Sequence, residues 1–134
     1  VWLANMERFQ RKLESARLAL PEPIEEYDDN NKVGIMSFGT NHPAMREARD
    51  RLSEGGLETN YMRVRAVPFA DSVMEFIHKH DRVYVIENNF DGQLAQIIRM
   101  ETSQDITHVK SLTLGDGLPM TAQWIVDQIN EQEA

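Results

Sequence analysis

The stretch DRVYVIENNFDGQLAQIIR, Asp81 to Arg99, decides the fold. Val83 to Ile86 form an unbroken apolar run, and Leu94, Ala95, Ile97 and Ile98 then recur with the spacing of one helix face. A strand that is apolar throughout is one covered on both sides. A strand that passes into a helix within a few residues is half of a strand–helix–strand crossover. Between the two halves stand Glu87, Asn88, Asn89, Asp91 and Gln93. A carboxylate and two amides at the end of a buried strand admit three readings: an active site, a binding edge or a well-capped turn.

Outward from this stretch the same unit recurs. KVGIMSF (32–38) is followed by the helix-spaced Ala44, Met45, Ala48 and Leu52, and Gly55-Gly56 then gives a helix C-cap signature. TNYMRVRAV (59–67) precedes Val73, Met74, Phe76 and Ile77; HVKSLTL (108–114) precedes Ala122, Ile125, Val126 and Ile129. Short links between strands and helices imply parallel strands with right-handed crossovers, hence an α/β fold built as a three-layer α/β/α sandwich. Tyr61, Arg63 and Arg65 alternate with Met62, Val64 and Ala66, which predicts a less covered strand there. Upstream, Trp2, Met6, Phe9, Leu13, Ala16 and Leu20 make one apolar helix stripe, expected to pack on the same domain or on a missing neighbour. PEPIEEYDDNNK (21–32) breaks that helix with two prolines and reads as an acidic linker.

Composition removes several classes of function. Lys and Arg number 14 against 22 Asp and Glu, a formal charge of −8, which suits neither nucleic acid nor an anionic membrane as partner. With no cysteine, the chain has no disulfide, no thiol nucleophile and no thiolate for zinc or an Fe–S cluster. No apolar run reaches the roughly 20 residues of a membrane span, and a cytoplasmic location is expected. His42, His78, His80 and His108 lack metal-ligand spacing, and no serine sits in a Gly-x-Ser-x-Gly elbow. His78 and His80 stand near a predicted helix C-terminus, where a positive charge suits the helix dipole.

In an open parallel sheet, ligands gather at the carboxyl ends of the strands. The loops there are SFGTNHP (37–43), RAVPF (65–69), ENNFDGQ (87–93) and LGDGLP (114–119). Gly39 permits a tight turn, Thr40, Asn41 and His42 are candidate helix caps, and Pro43 suits a first helical turn. Neither a Gly-x-Gly-x-x-Gly nor a phosphate-loop Lys-Ser/Thr pair follows any strand. Glu87 must be satisfied by donors if buried, and Arg63 and Arg65 are its nearest candidate counter-charges.

With those residues in view, the chain resembles the C-terminal domain of the α subunit of 2-oxoacid:ferredoxin oxidoreductases, most closely the 2-oxoglutarate type. VGIMSFGTNHPAMREARDRL is similar to that family's strand–turn–helix opening, and YMRVRAVPF to its strand ending in Pro-Phe. VYVIENNFDGQLAQIIRME resembles its Glu-x-Asn-x-x-Gly-Gln-Leu segment, the most specific of the three. The resemblance implies a fold like the transketolase C-terminal domain, with a mostly parallel sheet of about five strands. One strand is then antiparallel, near the C-terminal region or in the linker. It also implies that residues 1–31 are a helix and linker entering from a missing N-terminal cofactor and substrate domain, with 32–134 the domain proper.

The resemblance further implies a whole enzyme that oxidatively decarboxylates a 2-oxoacid to an acyl-CoA and passes electrons to ferredoxin. That enzyme uses thiamine diphosphate, magnesium and Fe–S clusters, the thiamine and the clusters lying mainly on its β subunit. No catalytic residue, metal ligand or cofactor is then expected in this chain. Its expected role is that of a non-catalytic assembly domain, with the β subunit and its own N-terminal domain as partners. The expected docking edge carries Glu87, Asn89, Gln93, Arg65, Gly39 and Thr40. Phe90 stands where relatives carry a polar residue, which predicts a buried contact there. The alternative is a regulatory module that binds CoA or another small anion on the same edge.

Overall fold

A computed structural model describes all residues, 1–134. Five strands form one sheet: β1 (Ile24–Glu26), β2 (Val33–Phe38), β3 (Thr59–Val64), β4 (Arg82–Glu87) and β5 (Val109–Thr113), in the order β1-β3-β2-β4-β5. β2, β3, β4 and β5 are parallel to one another, whereas β1 runs antiparallel to β3, pairing Ile24 with Arg63 and Glu26 with Tyr61. The helices are α1 (Trp2–Ala19), α2 (His42–Glu54), α3 (Asp71–Lys79), α4 (Gln93–Glu101) and α5 (Ala122–Glu133).

Alternation along each strand sends neighbouring side chains to opposite faces. Met36, Met62, Val64 and Val85 meet α3 and α4 through Phe76, Ile77, Leu94 and Ile98 on one face. Ile35, Tyr61, Tyr84 and Ile86 meet α2 and α5 through Met45, Leu52, Ile125 and Ile129 on the other. The result is the expected three-layer sandwich. Each fully buried side chain of this size contributes about 1.5–3 kcal/mol relative to exposure.

The predicted close of α2 is present. Gly56 has φ +92°, its N–H reaches Ser53 O at 2.9 Å, and Leu57 N–H reaches Leu52 O at 2.8 Å. That is a Schellman end, and the left-handed residue has to be glycine or pay steric strain. At the other end of α2, Thr40, Asn41 and His42 do not cap through their side chains; a 3₁₀ turn (Gly39–Asn41) runs straight into the helix instead. Pro43 occupies the first turn, as predicted.

One expectation is corrected, for β3, and two are narrowed. Of the two places expected for the antiparallel strand, residues 21–32 hold it, as β1. Asp28 and Asn31 are also tied to Asn60, whose Oδ1 accepts from Asp28 N–H at 2.8 Å and Asn31 Nδ2 at 3.0 Å. β3 is not poorly covered: all its residues but Arg63 are buried, since β1 pairs along its outer edge and Arg49 lies over the Tyr61 ring. α1 buries none of its residues against the domain; Trp2 is 76% and Phe9 54% exposed. Its attachment is at its far end, where Arg17 donates to Phe69 O at 2.6 Å and pairs with Glu101.

His80 also departs from expectation. It is buried, with Nδ1 at 2.6 Å from Phe76 O and Nε2 at 2.8 Å from Asn60 Nδ2. A carbonyl on one side and an amide donor on the other fix the neutral ring with its proton on Nδ1. Burial is the main cause that lowers its pKa below the ordinary 6.5; the hydrogen bond to Phe76 O, then Glu25 and Asp81, oppose this, and Lys79 adds to it. The unfolded chain therefore binds the His80 proton first as pH falls. This residue's share of stability is expected to be full above pH 6.5 and to be lost as pH drops through the lower folded value. Urea melts between about pH 7.5 and 5 check this, with His80→Gln expected to flatten that part of the slope.

Candidate functional site: the carboxyl edge of the sheet

Parallel strands bring the loops after β2, β3, β4 and β5 to one edge. The chain leaves β2 toward β3 but reaches β4 on β2's other side, so the crevice between the β2 and β4 loops is where the winding reverses. α4 begins in that crevice, and the ENNFDGQ loop is built around its first turn.

Glu87 has no exposed surface. Its Oε1 accepts from Leu94 N–H at 2.6 Å and Asn89 Nδ2 at 2.9 Å, and its Oε2 accepts from Ala95 N–H at 3.1 Å. Asn89 Oδ1 takes the remaining donors of the helix start, Gly92 N–H at 2.7 Å and Gln93 N–H at 3.3 Å. Every backbone donor that an α-helix leaves open at its start is thus satisfied, and a negative charge sits at the positive end of the helix dipole. Gly92 makes this possible with φ +66°: a Cβ there would lie 2.6 Å from Ser111 Oγ.

The edge also holds a cleft of about 620 Å³. Ile24, Phe38, Val64, Ala66, Val67, Leu94 and Ile97 give it apolar walls, and Gly39, Arg63, Arg65 and Gln93 complete it. Arg63 donates to Gly39 O at 3.2 Å. Neither arginine is in an ion pair, and no carboxylate lines the cleft.

The structure therefore brings Gly39, Arg65 and Gln93 into one cleft. It places Glu87 and Asn89 behind them in the cap, and Thr40 in the exposed turn outside the cleft lining. Arg63 and Arg65 are not counter-charges of Glu87: β2 separates β3 from β4, and backbone N–H groups take that role. Phe90 is 84% exposed instead of buried. It backs on Gly115, whose Cβ would fall 2.9 Å from Phe90 Cα, while Asn88 Nδ2 donates to Leu118 O at 3.3 Å. The loops after β4 and β5 thus form one surface carrying exposed Phe90 and Leu118.

Sequence reasoning missed the apolar walls. Ile24 lies in a strand of three residues, and Phe38 is the last residue of β2, so no periodic pattern marks either. A polar cluster behind the edge, Ser37, Tyr61 and His42, has Ser37 Oγ 2.8 Å from the Tyr61 hydroxyl. Burial pushes the Tyr61 phenol above its ordinary pKa, so it serves as a neutral hydrogen-bond partner. No set of three His, Asp or Glu side chains converges for a metal.

No protein-family model matches the chain. It is 32% identical over 107 residues to the α subunit of 2-oxoacid:ferredoxin oxidoreductase 1 of Aeropyrum pernix, and 31% identical over 78 residues to that of oxidoreductase 2 from the same organism. These alignments take in 75% and 57% of this chain but only 17% and 12% of the relatives. Among solved structures, it superposes on the 2-oxoglutarate:ferredoxin oxidoreductase of Magnetococcus marinus with a TM-score of 0.81 and 30% identity, over 98% of this chain and 24% of that one. That structure holds 2-oxoglutarate, coenzyme A and succinyl-CoA. A split-gene transketolase, in its inactive β4 tetramer, shares the fold at 16% identity and a TM-score of 0.61, over 81% of this chain and 40% of that one. The chain is homologous to one domain-sized part of 2-oxoacid:ferredoxin oxidoreductase α subunits.

Proposed function

We propose that this chain is the non-catalytic assembly domain of a 2-oxoacid:ferredoxin oxidoreductase, presenting its carboxyl edge to the β subunit and to an N-terminal domain of its own subunit. The enzyme would convert 2-oxoglutarate or a related 2-oxoacid to its acyl-CoA and pass the electrons to ferredoxin. One observation carries the reading. Glu87, the carboxylate of the motif that most resembles the family, is spent on capping α4, so the motif builds a surface instead of a reacting group. That surface exposes Phe90 and Leu118, side chains whose burial would favour association.

The Fe–S clusters of such an enzyme do not fit the residues here, since there is no cysteine, and no set of three His, Asp or Glu side chains converges for a metal ion. No step of the reaction is therefore assigned to this chain. Phe90→Glu in the full α–β complex is expected to weaken assembly about tenfold or more, through loss of a desolvated aromatic contact. Turnover per assembled complex, read as CoA-dependent dye reduction with 2-oxoglutarate or pyruvate, should not change. Normal assembly with slowed turnover would overturn the reading.

A second reading, a CoA or small-anion regulatory site on this edge, is favoured by the two arginines of the cleft that no carboxylate engages. It requires that CoA bind the chain and that Arg65→Ala weaken it.

A further inference from the structure

We propose that the cleft between the β3 end and α4 is a binding site for a carboxylate carrying an apolar tail, the tail lying between Phe38, Val64, Leu94 and Ile97 and the carboxylate meeting Arg65 and Arg63. This rests on the small-anion reading above and names its ligand class. A volume of about 620 Å³ suits a small molecule. The walls are mostly aliphatic or aromatic carbon, which a fully hydrated polyanion would gain little from covering.

Charge decides the sign of the ligand. The chain carries −8 overall, yet this cleft has two arginines and no acidic lining residue. A guanidinium is a planar fork that matches a carboxylate. Arg63 lines the cleft and donates to Gly39 O, and Arg65 is exposed and in no ion pair. Charge count also points to one anionic group instead of several. The start of α4 cannot serve as a second anion site, because Glu87 and Asn89 have taken all its open donors and Glu87 brings a buried carboxylate close behind.

The test titrates the full 134-residue chain, labelled with ¹⁵N, with octanoate, octan-1-ol, acetate and CoA in turn. Octanoate should shift the amides of Gly39, Arg65, Val67 and Gln93 together, and bind more tightly than octanol or acetate. Arg65→Ala with Arg63→Ala should weaken octanoate about fivefold, the worth of a partly exposed ion pair, and leave octanol unchanged. Ala66→Trp, which fills the cleft from its wall, should abolish the octanoate shifts; its amide spectrum reports whether it has folded. Equal binding of octanol and octanoate, or octanoate shifts that survive Ala66→Trp, would overturn the proposal. CoA shifts at Arg65 without octanoate shifts would overturn this ligand class and leave the small-anion reading standing. No shifts with any of the four would overturn both.

Discussion

Glu87→Ala is expected to destabilise the chain by about 3 kcal/mol, lowering the thermal midpoint by about 10 °C. The side chain has no exposed surface, and its removal strands Leu94 N–H, Ala95 N–H and Asn89 Nδ2. A buried donor left without a partner costs about 1–3 kcal/mol, and water entering the vacated space recovers some of that. The negative charge at the start of α4 is lost as well. For a domain whose total stability is about 5–15 kcal/mol, this is a large fraction. Glu87→Gln separates shape from charge. It fills the space and can still accept on one side, but it sets an NH₂ against an N–H on the other, so an intermediate loss of about 2 kcal/mol is expected. Asn89→Ala should cost less, about 1 kcal/mol, because its bonds lie nearer solvent and resemble an ordinary cap. Urea unfolding of the three variants orders them. A Glu87→Ala loss no larger than that of Asn89→Ala would mean that the carboxylate is not the anchor of the helix start.

This ranking bears on function as well. Glu87 can influence a partner only through the loop it holds, since Asn88, Phe90 and Gln93 are exposed and Glu87 is not. Glu87→Ala and Phe90→Glu should therefore both weaken assembly, but the first alone should lower the stability of the free chain. The pair distinguishes a framework residue from a contact residue.

How much of this was legible in the sequence depends on how local each feature is. β4 and α4 declare themselves, because an all-apolar run followed by helix spacing has few other solutions. Glu87 was legible in part: a buried carboxylate must find donors, but only the turn of the chain through Asn89 and Gly92 brings the α4 amides to it. β1 left almost no trace, since Ile24-Glu25-Glu26 has one apolar residue and is exposed along its length. Its strand character is imposed by the free edge of β3, and propensity alone has no access to that. The α1 stripe is amphipathic in sequence, yet Trp2, Met6, Phe9 and Leu13 stay exposed and only its far end, at Ala16 and Leu20, is partly covered. The cleft was least legible. Its walls come from separate elements that meet only after folding, and sequence order, which hides the intervening β2, pairs Arg65 with Glu87.

The cap has a second fulcrum, and a double substitution isolates it. Gly92→Ala should destabilise the chain by about 3 kcal/mol: about 1 for placing a Cβ in the left-handed region and about 2 for its collision with Ser111 Oγ. Gly92 has φ +66°, and the built Cβ lies 2.6 Å from that oxygen and 3.6 Å from Glu87 Oε2. Ser111 Oγ is itself buried without a hydrogen-bond partner. Ser111→Ala should therefore be neutral or mildly stabilising on its own, because it removes a desolvated hydroxyl that bonds to nothing. In the double variant the Cβ of residue 92 gains the space the hydroxyl held, and only the backbone cost of about 1 kcal/mol should remain. The two changes are then coupled by about 2 kcal/mol, well above the few tenths found for independent sites. Urea unfolding of the wild type, both singles and the double closes the cycle. Strict additivity would show that the penalty at residue 92 is purely one of backbone angle, and that the β5 side chain plays no part in shaping the start of α4.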